Sequence, residues 1–329
     1  MANAQPSVRS YLGIAKEVTP ATGLAPTDFI PIAKDSFKPV DVIAPLYDTG
    51  LRGSMAENYN YIQGRRHTEI DLGGPVFADT VGYWLGGIMG VVDTTGSTAP
   101  YTHEITLKNA VGTGADAQPT SFTLADMYVA DNRWYPGCKV TDFTLTFNSD
   151  GMLEYTAKLM GHPSEVEAYD TPSFSNVVPT AVWRGEVSVG GVVIGYTTAG
   201  SLTVTRKAEA IFGINTDQGP YEIFVGALDA KGQMTFVMEN DDQLLNYLDN
   251  TQPALAFTWT VGSGATQTSI AAYINKGAYT TGTIDRGGDH VAITVDVAAI
   301  ANTSNAGSTG GYAPVAFELK NAVPAGTYQ

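Results

Sequence analysis

The stretch Ile70-Asp71-Leu72-Gly73-Gly74-Pro75-Val76-Phe77 and the segment Val81–Met89 after it decide the fold that we predict. The stretch begins with alternating apolar and polar residues, which is the pattern of a strand with one buried face. In the segment that follows, apolar residues recur at helical spacing, and Asp79 or Thr80 can cap the helix. The apolar face of this predicted helix comprises Val81, Trp84, Leu85 and Ile88. A strand and a helix of this kind need a larger sheet to pack against.

A second copy of this strand–turn–helix unit occurs at residues 232–248. Its strand, Gly232–Met238, alternates in the same way, and Asn240 or Asp241 can cap a helix with apolar residues Leu244, Leu245 and Leu248. The flanking segments match in order: Ser201 with Ser36, Gly232 with Gly74, Ala254 with Tyr101, Thr268 with Thr120, Val291 with Val140, and Pro324 with Pro163. We interpret these matches as an internal repeat, although short alternating patterns also match by chance.

The rest of the sequence predicts short strands joined by tight turns. The clearest hairpin runs from Phe143 to Leu159 around the turn Asn148–Gly151. Further strands are predicted at Tyr11–Glu17, Tyr101–Lys108, Ser121–Val129, Ala254–Val261, Ser269–Ile274, 291–297 and 315–319. Residues 37–67, rich in Pro, Gly, Asn and Tyr, are too long for a tight turn. We expect a long loop there, ordered by contact with another subunit.

Composition limits the possible functions. The chain has 329 residues, enough for two domains, and a net charge of −15. This charge argues against a protein that grips nucleic-acid phosphates or inserts into an anionic membrane. A single cysteine, Cys138, excludes an intrachain disulfide framework and favours a small buried side chain. The amino terminus shows no signal-peptide pattern, and the apolar stretch Val81–Val92 is too short to span a bilayer.

The sequence does not support an enzyme. The four histidines, His67, His103, His162 and His290, have no metal-type spacing, and no nucleophile elbow or phosphate-binding loop is present. The acidic pair Asp241-Asp242 is explained by helix capping. We therefore predict no catalytic residue, no cofactor and no metal.

Several motifs resemble a known family. Tyr11–Glu17 with Thr22–Thr27, Ser36–Pro39, Gly53–Glu57 and Gly82–Leu85 are similar to segments of the tail tube (major tail) proteins of long, non-contractile-tailed bacteriophages. The carboxyl-terminal segments Tyr312–Pro314 and Gly326–Tyr328 are similar too. The likeness covers most of the chain and consists of diffuse motifs.

The resemblance implies a mostly β fold with two tandem tail-tube domains, each a β-sandwich or barrel with a short helix. With the repeat, it suggests a flexible arm at residues 1–10, domains at 11–163 and 183–329, and a linker at 164–182. It implies a structural virion protein whose rings stack into the tail tube, the conduit for ejection of double-stranded DNA, which passes without specific binding. Expected partners are other copies of the chain, the tape measure protein, and the tail terminator and baseplate proteins. The expected location is the virion tail, assembled in the host cytoplasm.

The repeat also bears on ring size. Two tube domains per chain would let three chains fill six positions, giving a homotrimeric ring with approximate sixfold symmetry. The part of the linker from Ser164 to Pro179, about 16 residues, reaches at most roughly 50 Å, enough for neighbouring positions. The alternative is a homohexameric ring whose second domains decorate the outside.

We predict that the long loop carries the contacts between subunits and between rings. The residues expected to make them are Asp48, Arg52, Glu57, Tyr59, Arg65 and Arg66. The last two belong to a compact basic cluster in an acidic chain, which suits pairing with carboxylates of a neighbour. Net negative charge is expected in the channel. The alternative function is a β-sandwich module of a phage or bacterial surface that binds a receptor or a glycan, which the scattered tryptophans and tyrosines leave open.

Overall fold

The structure is a computed structural model that describes residues 6–109, 117–128, 132–167, 171–214 and 216–329. Residues 1–5 of the expected flexible arm lie outside these ranges; residues 7–9 form an exposed 3-10 turn. The strands are β1 (Tyr11–Lys16), β2 (Asp28–Ile30), β3 (Lys38–Asp48), β4 (Asn60–Pro75), β5 (Gly90–Thr95), β6 (Tyr101–Leu107), β7 (Phe122–Met127), β8 (Asn132–Asn148), β9 (Glu154–Gly161), β10 (Glu165–Glu167), β11 (Gly185–Val189), β12 (Val192–Val193), β13 (Thr197–Ile211), β14 (Glu222–Val237), β15 (Leu255–Val261), β16 (Thr268–Ile274), β17 (Gly277–Asp285), β18 (Ala292–Ala299) and β19 (Ala316–Asn321). The helices are α1 (Val81–Met89) and α2 (Asp242–Leu248), with further 3-10 turns at Val182–Arg184 and Gly264–Thr266.

Helix α1 is the centre of the core, and its predicted bounds are confirmed. All nine of its residues are buried, including Trp84 and Ile88 at 0% exposure. It ends at Gly90, whose φ of 93° lies in the left-handed region where glycine is favoured. The strand predicted before it forms the end of β4, where Ile70 and Leu72 face the core. The mostly β prediction is confirmed.

Eight strands form the long sheet, in the order β3-β4-β9-β8-β13-β14-β18-β17, all antiparallel. The amino-terminal part of β8 leaves this sheet to pair with β7 and β10, and β7 carries β1 and β2. A second sheet has the order β12-β11-β15-β16-β19-β6-β5. Strand β19 joins β16 to β6, so strands from both halves of the chain share each sheet and one core.

The long sheet consists of two runs with the same connectivity. In the first run β3 pairs with β4, β4 with β9 and β9 with β8; in the second run β13 pairs with β14, β14 with β18 and β18 with β17. A β-bulge occurs at the same place in each, at Thr141 and at Thr280. Thr141 Oγ1 donates to Lys158 O at 3.1 Å, and Thr280 Oγ1 donates to Asp296 O at 3.2 Å. The repeat therefore has a structural basis, while the domain limits 11–163 and 183–329 stay a prediction.

The matches predicted beyond the helix are wrong in detail. Strand β15 occupies the place of β5, the first strand after the helix, and does not match Tyr101 in β6. Val140 is equivalent to Tyr279 of β17, since both precede the bulge, and not to Val291. The sequence did not reveal β5 because its first apolar residues continue those of α1 without a break. It did not reveal β17 because that strand is rich in Thr and Gly and lacks an apolar alternation.

Helix α2 occupies the place of α1 in the second run but is far less covered. It packs on β17 and β18, and Leu244 contacts the core. Leu245 is 46% exposed and Leu248 is 63% exposed. Of the three leucines on the predicted apolar face, only Leu244 packs on this chain's core. A helix with an apolar face in water indicates a surface that another molecule can cover.

The carboxyl-terminal segment completes the cover of α1. Tyr328, 1% exposed, lies over Gly82 so closely that a Cβ there would be 2.5 Å from its ring. Its hydroxyl donates to Asp79 O at 2.6 Å and accepts from Asn321 Nδ2 at 3.0 Å. This contact joins the end of the chain to the first helix.

Replacing Tyr328 with Ala should lower the free energy of unfolding by about 3–5 kcal/mol, because a large aromatic ring leaves a tight cavity. Tyr328→Phe should cost only about 1 kcal/mol, for the lost hydrogen bonds. Urea denaturation measures both. Tyr312→Ala is the matched control, since that ring is 65% exposed; equal losses for Tyr328→Ala and Tyr312→Ala would contradict this role.

Candidate assembly interface

The segment predicted as a long loop is instead a β-hairpin. Residues 38–48 and 60–75 pair in register from Lys38 with Asp71 to Asp48 with Asn60, so only 49–59 form a loop. Its outer part, residues 44–66, contains no buried side chain, and we call it the first arm. The absence of a buried face explains why the sequence shows no strand pattern there. Residues 60–67 of β4 pair with β3 alone, whereas residues 68–75 pair with β9.

The tip of the first arm is held together by three of the residues predicted to contact other subunits, Asp48, Arg52 and Tyr59. Tyr59 N donates to Asp48 O at 2.9 Å, and Gly50 N donates to Asp48 Oδ1 at 3.0 Å. Arg52 forms a salt bridge with Asp48 and lies over the ring of Tyr59, 4.7 Å from its centroid. Glu57 is exposed at the same tip. These contacts shape the loop, and their role between subunits stays a prediction.

Apolar side chains of the tip point into solvent. Leu51 is 102% exposed and Met55 is 103% exposed. Further exposed apolar residues on the arm are Leu46, Tyr47, Tyr61 and Ile62. Sequence reasoning missed these residues, although large hydrophobic residues in a stretch of Gly, Ser and Asn were the available signal. A patch of this kind indicates a protein contact.

The second run has its own arm, residues 207–222, and its described part packs against the first arm. Gln218 O accepts from Arg66 N at 2.8 Å, and Gln218 Nε2 donates to Gln63 O at 3.1 Å. Arg65 lies over Phe212, 5.0 Å from the ring centroid. The two arms of one chain thus form a joint surface, at which Ile214 is 110% exposed.

Arg66 lies at the base of the first arm, away from the tip residues. Its charge acts on Asp41, which also accepts hydrogen bonds from Ser164 and Thr68. Burial by itself raises the pKa of Asp41, but these hydrogen bonds and the Arg66 charge together hold it below its usual value. Within its own chain, Arg65 thus lies over Phe212, and the charge of Arg66 acts on Asp41.

The long sheet ends in two edges. In the described residues β3 pairs only with β4, and β17 pairs only with β18. Such edges expose backbone N–H and C=O groups that can pair with another strand. Pro39 and Pro45 each remove one backbone N–H donor from β3. Strands that contain proline are usually found at the edge of a sheet, as β3 is here.

The face of the long sheet that points away from the core is polar. Threonine hydroxyls bridge neighbouring strands, with Thr144 to Thr203 and Thr235 to Thr294 both at 3.0 Å. The acidic residues of this face include Glu69, Asp71, Asp142, Glu154, Glu209, Asp229, Asp285 and Asp296, and the basic ones include Lys38, Lys158, Lys207 and Lys231. Acidic side chains outnumber basic ones, so this face carries net negative charge.

His103 and Cys138 are buried in the core and have structural roles. Buried His103 lies 2.8 Å from Thr94 Oγ1 and 3.0 Å from Asn321 Oδ1, and burial lowers its pKa. Cys138 is buried, as predicted, and burial raises its pKa. In the part of the chain that the structure describes, no three His, Cys, Asp or Glu residues are grouped to hold a metal. In that same part, no helix is long and apolar enough to cross a membrane.

The chain matches a known protein family. A family model described as phage tail tube protein matches residues 7–301, which is nearly the whole chain and includes both runs of the long sheet. No curated protein matches the chain.

A pH effect is expected from Asp126, which lines a cavity of about 470 Å³ together with Leu12, Ile32 and Phe37. Burial raises its pKa to about 6, above that of an unfolded chain. The folded state should therefore lose stability as pH rises from about 4 to about 6, by on the order of 2–3 kcal/mol.

Asp126→Asn should remove this loss: it should raise the free energy of unfolding at pH 7.5 and change it little at pH 3.5. Glu209→Gln, at an exposed site, is the control. Parallel stability–pH curves for wild type and Asp126→Asn would show that the carboxyl is not desolvated.

Proposed function

Because the chain belongs to the phage tail tube protein family, we propose that it is the structural subunit of a tail tube, and that its rings stack into the conduit through which DNA enters the host. The observation that carries this proposal is the long sheet, which ends in two edges and is itself built from two equivalent runs. It is a segment of a barrel that further copies can close.

The two edges of the long sheet support closure of a ring. Within the chain the two runs are joined by pairing of β8 with β13, from Asp142 with Thr205 to Asn148 with Ala199. The strand equivalent to β8 at the free end is β17, and the one equivalent to β13 is β3. Pairing of β17 with β3 of the next copy would repeat the junction within the chain. Three copies would then supply six runs, and the barrel would leave no open edge.

The polar face of the long sheet is the wall of the proposed channel. Its threonine hydroxyls are bonded to one another, and its carboxylates exceed its ammonium groups. A wall with net negative charge repels phosphates, so double-stranded DNA would pass without binding. The cluster of Asp71, Asp142 and Lys158 lies on this face, where burial raises the pKa of Asp142.

The arms are the proposed contacts between successive rings. Both arms carry exposed apolar side chains. The first arm has no buried residue, so it adds little to the stability of a single chain. Asp48, Arg52, Glu57, Tyr59, Arg65 and Arg66 would shape and flank this contact, while Leu51 and Met55 would supply its apolar area.

Family membership supports the remaining parts of the proposal. We infer the tape measure protein and the tail terminator and baseplate proteins as further partners. We infer a non-enzymatic virion tail protein, assembled in the host cytoplasm, without a cofactor.

Electron microscopy of the purified full chain tests the function. Rings or tubes with three chains per ring are expected, with approximate sixfold symmetry in projection. Six chains per ring would mean that the two runs do not occupy equivalent positions. A monodisperse monomer at high concentration would favour the receptor- or glycan-binding alternative.

Replacing both tip residues, Leu51→Ser with Met55→Ser, should leave rings intact but abolish their stacking, because about 2 kcal/mol or more of apolar burial per side chain is lost. Negative-stain images and sedimentation distinguish rings from tubes. Val8→Ser with Val18→Ser is a control of equal chemistry at exposed positions outside the arms. Long tubes from the tip variant would show that the arms do not mediate stacking.

A further inference from the structure

We propose that the seam between two chains has the same register as the β8–β13 seam within one chain, so that Asp285 of one copy lies opposite Lys38 of the next. This inference rests on the proposed ring, and it adds the register and the residues that close it. The argument uses three steps, each anchored on a strand pairing within the chain.

The first step equates β8 with β17. In β8 the bulge separates Val140, opposite Leu159, from Asp142, opposite Lys158. In β17 the bulge separates Tyr279, opposite Val297, from Thr281, opposite Asp296. Bulges are specific local features, and the same threonine hydrogen bond occurs at both. Asp142 and Thr281, the first residues after the two bulges, are therefore equivalent. Counting from them toward the carboxyl end of each strand makes Leu145 equivalent to Ile284 and Thr146 equivalent to Asp285.

The second step equates β13 with β3 through the strands that lie between. The bulge makes Leu159 of β9 equivalent to Val297 of β18. Leu159 pairs with Ile70, whose partner on β3 is Pro39. Val297 pairs with Gly232, whose partner on β13 is Leu202. Pro39 is thus equivalent to Leu202, and Lys38 to Ser201.

The third step transfers the register. Within the chain Leu145 pairs with Leu202 and Thr146 pairs with Ser201. The equivalent pairs between chains are Ile284 with Pro39 and Asp285 with Lys38. Both charged side chains are exposed and lie on the polar face of the long sheet. Opposite charges directly across an antiparallel pair stabilise it, so the transferred register is electrostatically matched.

The core side of the seam is matched as well. Within the chain Arg206 of β13 reaches α1, its Nη1 donating to Ile88 O at 3.2 Å. The position equivalent to Arg206 on β3 is Ile43, since Arg206 pairs with Leu228 and Ile43 with Arg66 in the corresponding ladders. An apolar residue from the next copy would therefore approach α2, where Leu245 and Leu248 are exposed. The uncovered face of α2 is explained by this neighbour.

Charge reversal tests the register. Lys38→Asp and Asp285→Lys should each raise the concentration of half-maximal ring formation by about 10-fold, because each places like charges across every seam. The double variant, Lys38→Asp with Asp285→Lys, should return it to within about 3-fold of wild type. Lys231→Asp is the control on the same face, inside one chain: it loses an exposed ion pair with Asp229, 2.9 Å long, which contributes little in water, and it should form rings as wild type does.

Crosslinking gives an independent measurement. A chain with Lys38→Cys and Asp285→Cys should form intermolecular disulfides, since paired Cα atoms across an antiparallel ladder lie roughly 4.5–5.5 Å apart. Mild oxidation should give a covalent ladder that ends at the trimer, with neither single variant progressing beyond a dimer. The native Cys138 is buried and should not react.

The outcomes separate this inference from the function it rests on. Rings of wild-type protein with no rescue by the double reversal and no crosslink would overturn the register and leave the tube intact. Wild-type protein that forms neither rings nor tubes would overturn both. Rescue together with the trimeric ladder supports the seam as proposed.

Discussion

The antiparallel ladder between β8 and β13 is the constraint on which the remaining structure depends. It joins two runs of four strands, and its core-facing pairs include Leu145 with Leu202 and Phe143 with Val204, all buried. Because this ladder fixes the runs side by side, β19 can bridge β16 and β6 in the second sheet. The same placement brings the second arm against the first. Without the ladder, each run would have an additional open edge and an incomplete core.

The two helices show how one supersecondary unit serves two environments. Each follows the last strand of its hairpin and lies over its own run. Helix α1 packs on β8, β6, β5 and β13 and is covered by Tyr328, so every position along it is buried and small residues such as Gly82 and Gly87 are required for close packing. Helix α2 lies at the end of the sheet, where one chain provides no such cover. The difference reflects position in the sheet more than helix sequence.

Sequence patterns predicted the parts of the fold that carry a regular apolar period. The hairpin from Phe143 to Leu159 emerged because one face is buried and the other is wet. Helix α1 emerged because its large apolar residues recur at helical spacing, although every position along it is buried. The arm strands did not emerge, since residues 44–66 have no buried face and therefore no alternation. The residues of the proposed arm contact were predicted in part, and their role between subunits stays a prediction. Charged groups at the arm tip were identified, whereas Leu51 and Met55 were overlooked because isolated apolar residues in a polar stretch resemble an ordinary loop.

The contact between Tyr328 and Asp79 spans 249 positions in sequence, and this sets an order of events during synthesis. At 5–20 residues per second, roughly 10 to 50 s pass between the appearance of α1 and that of the ring that covers it. During this interval the first run has strands but an unfinished core, and non-local pairing of this kind is slow to form. A nascent chain is therefore a poor partner for finished copies, and chaperones have a defined window in which its apolar surface is open.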